Sequence, residues 1–140
     1  RVGAVAAVAR GCIFVCGGFH GNCFHSSVEG YDLTSGTKWE RCASMERPRA
    51  NACIAVSNER LLVFGGRDGE DILASVERFN SAAISAALER GEWETMPPMT
   101  HRRIGLSIVV AASEMYVLGG WNSSESVDAV EVLDPRKRLW

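Results

Sequence analysis

The chain has no apolar run long enough to cross a bilayer. The longest, Val2 to Ala9 and Ile104 to Ala112, fall far short of the roughly 20 residues a spanning helix needs. It shows no basic n-region followed by an apolar h-region, and as it does not begin with Met, the true N-terminus and any targeting signal are expected to lie outside it. It has no excess charge of one sign. The formal net charge of -2 over 140 residues gives no general attraction to nucleic acid or to an anionic membrane. Walker loops, His-Glu-x-x-His and Gly-x-Ser-x-Gly are all missing, so the common nucleotide, zinc-protease and hydrolase machineries are not visible.

The cysteines also lack a disulfide pattern. There are five, an odd number, and all lie in the first 53 residues: Cys12, Cys16, Cys23, Cys42 and Cys53. A secreted scaffold would more often carry an even set spread over the fold. Cys12, Cys16 and Cys53 sit inside apolar runs and read as small hydrophobes. A reducing, cytoplasmic compartment is the expectation. Asn122-Ser123-Ser124 matches a glycosylation sequon, a pattern short enough to arise often by chance. Cys16, His20, Cys23 and His25 are the one metal-like cluster, but Cys-x3-His-x2-Cys-x-His is not a standard zinc spacing. Cys16 also ends an apolar strand. The reading is therefore no metal and no cofactor.

What the chain does have is a repeat. The apolar run Arg60-Leu61-Leu62-Val63-Phe64 ends in Gly65-Gly66, and matching runs end in Gly17-Gly18 and Gly119-Gly120. A short apolar run bounded by a turn signal reads as a strand buried on both faces. The glycines let the backbone turn sharply or approach another backbone closely. Measured from the first glycine, Arg1, Arg49 and Arg103 all lie 16 residues upstream. Measured from the second, Val28-Glu29, Val76-Glu77 and Val130-Glu131 begin 10 residues downstream. Tyr31, Phe79 and Leu133 follow two residues after Glu29, Glu77 and Glu131, and Trp39, Trp93 and Trp140 close the units.

Within a unit the pattern predicts four short antiparallel strands. The first spans Val2 to Val8, Ala50 to Val56 and Ile104 to Val110. The second runs into the diglycine, the third alternates around the Val-Glu pair, and the fourth carries the tryptophan. A period near 50 with four strands per unit is that of a propeller blade. The units are assigned as 1–48, 49–102 and 103–140, with an insert at 81–91 in the second. That insert reads as a short helix with Ser81 as cap and Gly91 as stop. Arg1 stands just before a first strand and Trp140 at the start of a fourth, and the chain does not begin with Met. An excerpt from a longer chain is expected, and poor solubility for these residues alone.

Diglycine, Val-Glu-x-Tyr-Asp, Trp, Met and Pro-Arg together resemble the kelch repeat, over essentially the whole chain. The segment Thr100 to Val110 looks especially like the propellers of kelch-like ubiquitin-ligase adaptors. Departures are Asn80 in place of the usual Asp, with six extra residues after it, and Leu133 in place of an aromatic. The resemblance implies an all-β, kelch-type propeller, here about three four-stranded blades of a six-bladed ring. It implies a non-catalytic platform that binds a protein or peptide, as substrate-recognition propeller of a cullin-type ubiquitin-ligase complex. The alternatives are an actin-linked cytoskeletal scaffold and a kelch-fold enzyme whose active residues lie elsewhere. The copper enzymes of this fold use tyrosines, and Tyr31 and Tyr116 both occupy framework positions here.

The tryptophans, Tyr31 and Phe79 are expected to fill the space between blades. The recurring Arg1, Arg49 and Arg103 with Glu29, Glu77 and Glu131 are expected to tie strands together as charged hydrogen bonds. Function is expected where the copies differ, in loops on a rigid frame. By resemblance the candidate partner contacts are Phe19, His20, Arg67, Asp68, Trp121 and Asn122 after the diglycines, with Arg49 and Arg103 opening the first strands. Trp and Arg are the residues that dominate such interfaces. Arg47, Arg49, Arg67, His101, Arg102 and Arg103 on the same face favour an acidic or phosphorylated ligand. Glu46, Asp68, Glu70 and Asp71 leave a solvated mixed-charge rim as the alternative.

Overall fold

The computed structural model describes residues 1–80 and 91–140, and the helix expected over 81–91 falls outside them except at Gly91. Every regular element among the described residues is a strand. β1 (Val5–Ala9) and β2 (Cys12–Cys16) are followed by a short ribbon, β3 (Phe19–His20) with β4 (Cys23–Phe24), then by β5 (Val28–Asp32) and β6 (Glu40–Cys42). The first sheet has the order β1-β2-β5-β6, and the ribbon pairs separately. β7 (Cys53–Ser57), β8 (Arg60–Phe64), β9 (Val76–Asn80) and β10 (Glu92–Met96) form the second sheet in chain order. β11 (Ser107–Ala111), β12 (Glu114–Leu118) and β13 (Glu131–Leu133) form the third. All neighbours are antiparallel. β7 lies between β1 and β11, so the first strands of the three sheets sit side by side, as blades do around a propeller axis. The fold is all-β, with antiparallel blades arranged as part of a propeller, as expected.

Period-2 alternation explains the packing. In β8, Leu61 and Val63 face the first blade, where they join Phe14, Cys16, Val28 and Met45. Leu62 and Phe64 face the third blade and join Met96, Met115, Val117 and Leu133. One strand thus supplies both cores, which is why its sequence is continuously apolar rather than alternating. Trp93 leans on the first core with its ring 5.2 Å from Phe79, and its indole N–H reaches back to the Ala43 carbonyl at 2.8 Å. Trp140 repeats this one blade on, edge to face with Phe64 and donating to Pro97 O at 2.8 Å. Trp39 stacks only on Tyr31 within its own blade and stays exposed. Val8, Val109 and Val110 are also exposed.

The first strands start three residues later than the sequence pattern predicts. Gly3, Asn51 and Gly105 adopt positive φ (65°, 54° and 61°) and interrupt the extended chain. Val2, Ala50 and Ile104 are cut off from the blade sheets and bridge instead to Phe19, Arg67 and Trp121. Trp39 likewise precedes its fourth strand rather than lying in it. The β1–β2, β7–β8 and β11–β12 hairpins all turn in two residues with positive φ at both, the geometry that matches strand twist.

The diglycines are joints between blades. Both glycines of each pair have positive φ. A Cβ on Gly17 would lie 2.2 Å from Arg49 O, and one on Gly65 2.4 Å from Arg103 O. Those carbonyls accept from the Gly18 and Gly66 N–H groups at 2.6 and 3.0 Å. Gly119 has the same φ but no atom within 4 Å of its Cβ position. Gly119→Ala should therefore cost about 1 kcal/mol, from backbone strain alone. Gly65→Ala should cost about 3 kcal/mol or more, because a carbonyl must also move. Urea unfolding of the two variants checks this, and equal losses would mean that close approach does not select glycine at Gly65.

Candidate functional site

The loops after the diglycines and the links between blades share one face. Each link is hydrogen-bonded to the loop of the preceding blade. Met45 N–H donates to Ser26 O and Arg49 N–H to His25 O; Met99 and Arg103 do the same to Ala74 and Leu73. The residue after each diglycine is then held by two backbone bonds: Phe19 with Val2, Arg67 with Ala50, and Trp121 with Ile104, all at 2.8–3.0 Å. Five residues on, Phe24, Ile72 and Ser126 pair back to them and close the loops. Three equivalent backbones thus present three different side chains.

Two grooves run between these loops. The larger, about 690 Å³, lies between the β3–β4 ribbon and the second loop, and Phe19, Phe24, Asn51, Arg67 and Asp68 contribute to its walls. The smaller, about 320 Å³, lies between the second and third loops, with Arg67, Ile72, Arg102, Ile104 and Trp121. Arg67 is common to both. Its guanidinium sits 5.5 Å from the centroid of the Phe24 ring, which stacks on Phe19 at 5.3 Å. Trp121 keeps 43% of its surface exposed although its backbone is fully bonded. An aromatic with a free face beside a guanidinium is a suitable anchor point for a peptide.

Arg49 and Arg103 do not join this surface. They are 1% and 0% exposed. The Arg49 Nε and Nη2 donate to Glu77 Oε1 at 3.1 and 2.8 Å, Nη1 to Gly65 O and Ser75 O, and Nη2 also to Ser75 Oγ. Arg103 Nη1 reaches Gly119 O and Ala129 O, and Nη2 reaches Glu131 Oε1 at 2.6 Å. Arg1 repeats the set with Gly17 O, Ser27 O and Glu29. The expected ion pairs are present, and they take these arginines out of reach of a ligand. Glu77 closes the network by accepting from the Glu46 and Arg47 N–H groups, and Glu131 from Thr100 and His101.

The basic character of the face is mostly neutralised within the protein. Arg47 pairs with Asp68, and His101 contacts Glu131 at 3.2 Å. Among the described residues, Arg67 and Arg102 remain without a carboxylate partner. Asp68 and Asn122 occupy one repeat position and do one job. Asp68 Oδ1 accepts from the Glu70 and Asp71 N–H groups, and Asn122 Oδ1 from those of Ser124 and Glu125. Partial burial works against ionisation of Asp68, but these N–H groups and Arg47 outweigh it and hold the carboxyl below the usual range. His20, in the same position of the first unit, is exposed in the ribbon.

Of the remaining chemistry-bearing side chains, Cys23 is exposed at the larger groove, and Cys12, Cys16, Tyr31 and Tyr116 belong to the framework. All five cysteines are free. Burial pushes the Cys16 thiol up to about 12 and, with Cys12 nearby, the Cys42 thiol to about 11, so neither is a ready nucleophile or ligand. Among the described residues no group of three or more His, Cys, Asp or Glu is placed to hold a metal ion. Tyr31 donates to Gly36 O and Tyr116 to Glu114. Sequence reasoning passed over Phe24 and Ile72 as groove residues, whereas Arg102 was already expected in the basic set of this face. The common five-residue step from Phe19, Arg67 and Trp121 to Phe24, Ile72 and Ser126 was the available signal for Phe24 and Ile72.

A family model described as Kelch motif matches residues 1–46, 48–100 and 102–140. Beta-scruin of Limulus polyphemus is 33% identical over 96% of the chain, which covers 16% of that protein. Spermatocyte protein spe-26 of Caenorhabditis elegans is 26% identical over 93% of the chain, covering 23% of its length. Kelch-like protein 21 of Danio rerio is 30% identical over 81%, covering 17%. The chain thus spans less than a quarter of the length of these relatives.

The carboxylate network also sets an acid limit. Burial opposes ionisation of Glu131, but hydrogen bonds from Thr100, His101 and Arg103 outweigh it and lower its pKa from the ordinary 4.5. A depressed folded-state value contributes stability that is complete above pH 4.5 and is lost as pH falls through the folded value. The melting temperature should therefore drop in acid, and Glu131→Gln should be less stable at neutral pH with a shallower acid limb. An acid limb as steep as that of the unaltered chain would remove Glu131 from this role.

Proposed function

The chain belongs to the kelch-repeat family, and on that premise we propose that it is a non-catalytic protein-interaction platform. Its recognition face is the diglycine-loop face. The observation that carries this reading is the trio Phe19, Arg67 and Trp121, different side chains on backbones held identically, flanking two grooves. A partner peptide seats an apolar or aromatic side chain against Trp121, and an acidic or phosphorylated group against Arg67 and Arg102. His20 and Asn122 lie at the margins of the face. Asp68 shapes the second loop, and Arg49 and Arg103 support the site from beneath.

The leading biological version is substrate recognition for a cullin-type ubiquitin ligase, in the cytoplasm, where free thiols persist. Similarity to the kelch-like proteins supports it. An actin-linked cytoskeletal scaffold stands as a second reading, since the same platform would serve it. Affinity capture tests the site and separates the two readings. Arg67→Ala with Trp121→Ala should reduce recovery of bound partner at least tenfold without lowering the melting temperature, because both side chains leave the framework. Equal recovery would discard the site. Cullin-complex components in the captured set favour the first reading, and co-sedimentation with filamentous actin the second.

A further inference from the structure

The opposite face of the arc carries a different kind of site. There the β7–β8 hairpin of the second blade meets the turn after β13 of the third. Ser57, Asn58, Arg60, Arg78 and Arg136 stand around a cavity of about 270 Å³ with Leu62 beneath it. Three guanidiniums border it, and among the described residues no lining residue is acidic.

The neighbouring carboxylates are already engaged. Glu94 accepts from Arg78 Nε at 2.6 Å and Asn80 Nδ2 at 2.5 Å, and from Arg138 at 3.0 Å. Asp134 accepts from the backbone N–H groups of Arg136 and Lys137 and pairs with Lys137 Nζ at 3.2 Å. Glu59, at the hairpin tip, turns to the Arg10 N–H of the first blade at 2.8 Å. Arg78 is held in place, with Nη1 donating to Pro135 O at 3.0 Å. Arg136 is only loosely paired, 3.8 Å from Asp134, and is 63% exposed. Arg60 has no carboxylate partner among the described residues. Arg78 is thus fixed and ion-paired with Glu94, while Arg60 and the loosely paired Arg136 are free to close on a ligand, with the Ser57 hydroxyl and Asn58 amide as neutral donors. Like charges gathered at a polar cavity, in a chain of net charge -2, are relieved by an anion.

We infer that this cavity binds a phosphate monoester. A carboxylate offers two oxygens in one plane and would satisfy one guanidinium fork. A phosphate monoester offers three oxygens and up to two charges, which suits donors arriving from both blades. The ligand would bridge the second and third blades, and binding to the folded state alone raises stability. The phosphate can be carried by a phosphorylated protein segment or by a soluble sugar phosphate, and the two use the same contacts.

Thermal unfolding of the full chain at fixed pH and ionic strength tests this. Inorganic phosphate, a phosphoserine peptide and an inositol phosphate are titrated separately against chloride. At least one phosphate probe should raise the melting temperature saturably, and Arg60→Ser with Arg136→Ser should weaken that response at least tenfold. The stronger response identifies the carrier, peptide or sugar phosphate. Arg67→Ala with Trp121→Ala should leave the response unchanged, so failure here is distinct from failure of the partner-binding face. No saturable shift with any probe, or an undiminished shift in the Arg60/Arg136 variant, would overturn the inference.

Discussion

The structure depends on an arginine buried in each of the second and third blades. Arg49 and Arg103 place a full charge at nearly zero exposure, and desolvation pulls the pKa of Arg49 down while Glu77 opposes it. Burying such a charge is unfavourable unless it is paired and its remaining donors are satisfied. Arg49 meets that condition with a carboxylate, two backbone carbonyls and a hydroxyl. Each partner comes from a different segment: the end of β8, the loop after it, and β9. The pair therefore holds geometry more than it adds stability. Moving any one segment would strand a buried donor, at about 1–3 kcal/mol or more. The pair gains this force from burial. Arg1 and Glu29 make the same contacts, but their side chains are 22% and 38% exposed, and solvent screens them.

The same residues also set the spacing between blades. The Arg49 side chain points into its own blade and binds Gly65 O, while its carbonyl points back and is received by Gly18 N–H. Arg103 does likewise with Gly119 O and Gly66 N–H. The arginine and the diglycine are thus two halves of one joint. The glycine is needed because the arginine carbonyl occupies the space where a Cβ would stand. Asn51 continues the relay beside it, donating to Gly3 O and accepting from Gly105 N–H. The rigid face is a consequence of these joints, since the loops hang from the same carbonyls and amides.

The sequence spacing made the blades legible because framework contacts recur at constant offsets. Val15–Glu29, Val63–Glu77 and Val117–Glu131 are paired in one register, as the diglycine ruler implied. The late start of the first strands could also have been read: Gly3, Asn51 and Gly105 stand at one offset and are the residues that tolerate positive φ. Burial of a charge was not legible. Spacing shows that Arg49 and Glu77 recur, but not that the side chain turns inward, since the same residue on the same link could equally have faced solvent. Ala112-Ser113 was invisible for another reason. It is a turn whose geometry favours Asn-Gly, imposed here by the strands it joins. The partial neutralisation of the face was hidden likewise, because a count of arginines ignores carboxylates brought in from other segments, as Asp68 is to Arg47.

What allows the copies to differ follows from how they are held. What anchors Phe19, Arg67 and Trp121 alike is a pair of backbone N–H and C=O bonds, which every residue but proline provides equally. Their side chains carry no framework contact shared by all three units. Substitution there changes the surface without changing the joint, whereas substitution at Arg49 or Gly65 changes the joint itself. A repeat built this way can vary its recognition surface while its blades stay in register. Variable side chains therefore accumulate at the residue after the diglycine, where the backbone is most constrained and the side chain least.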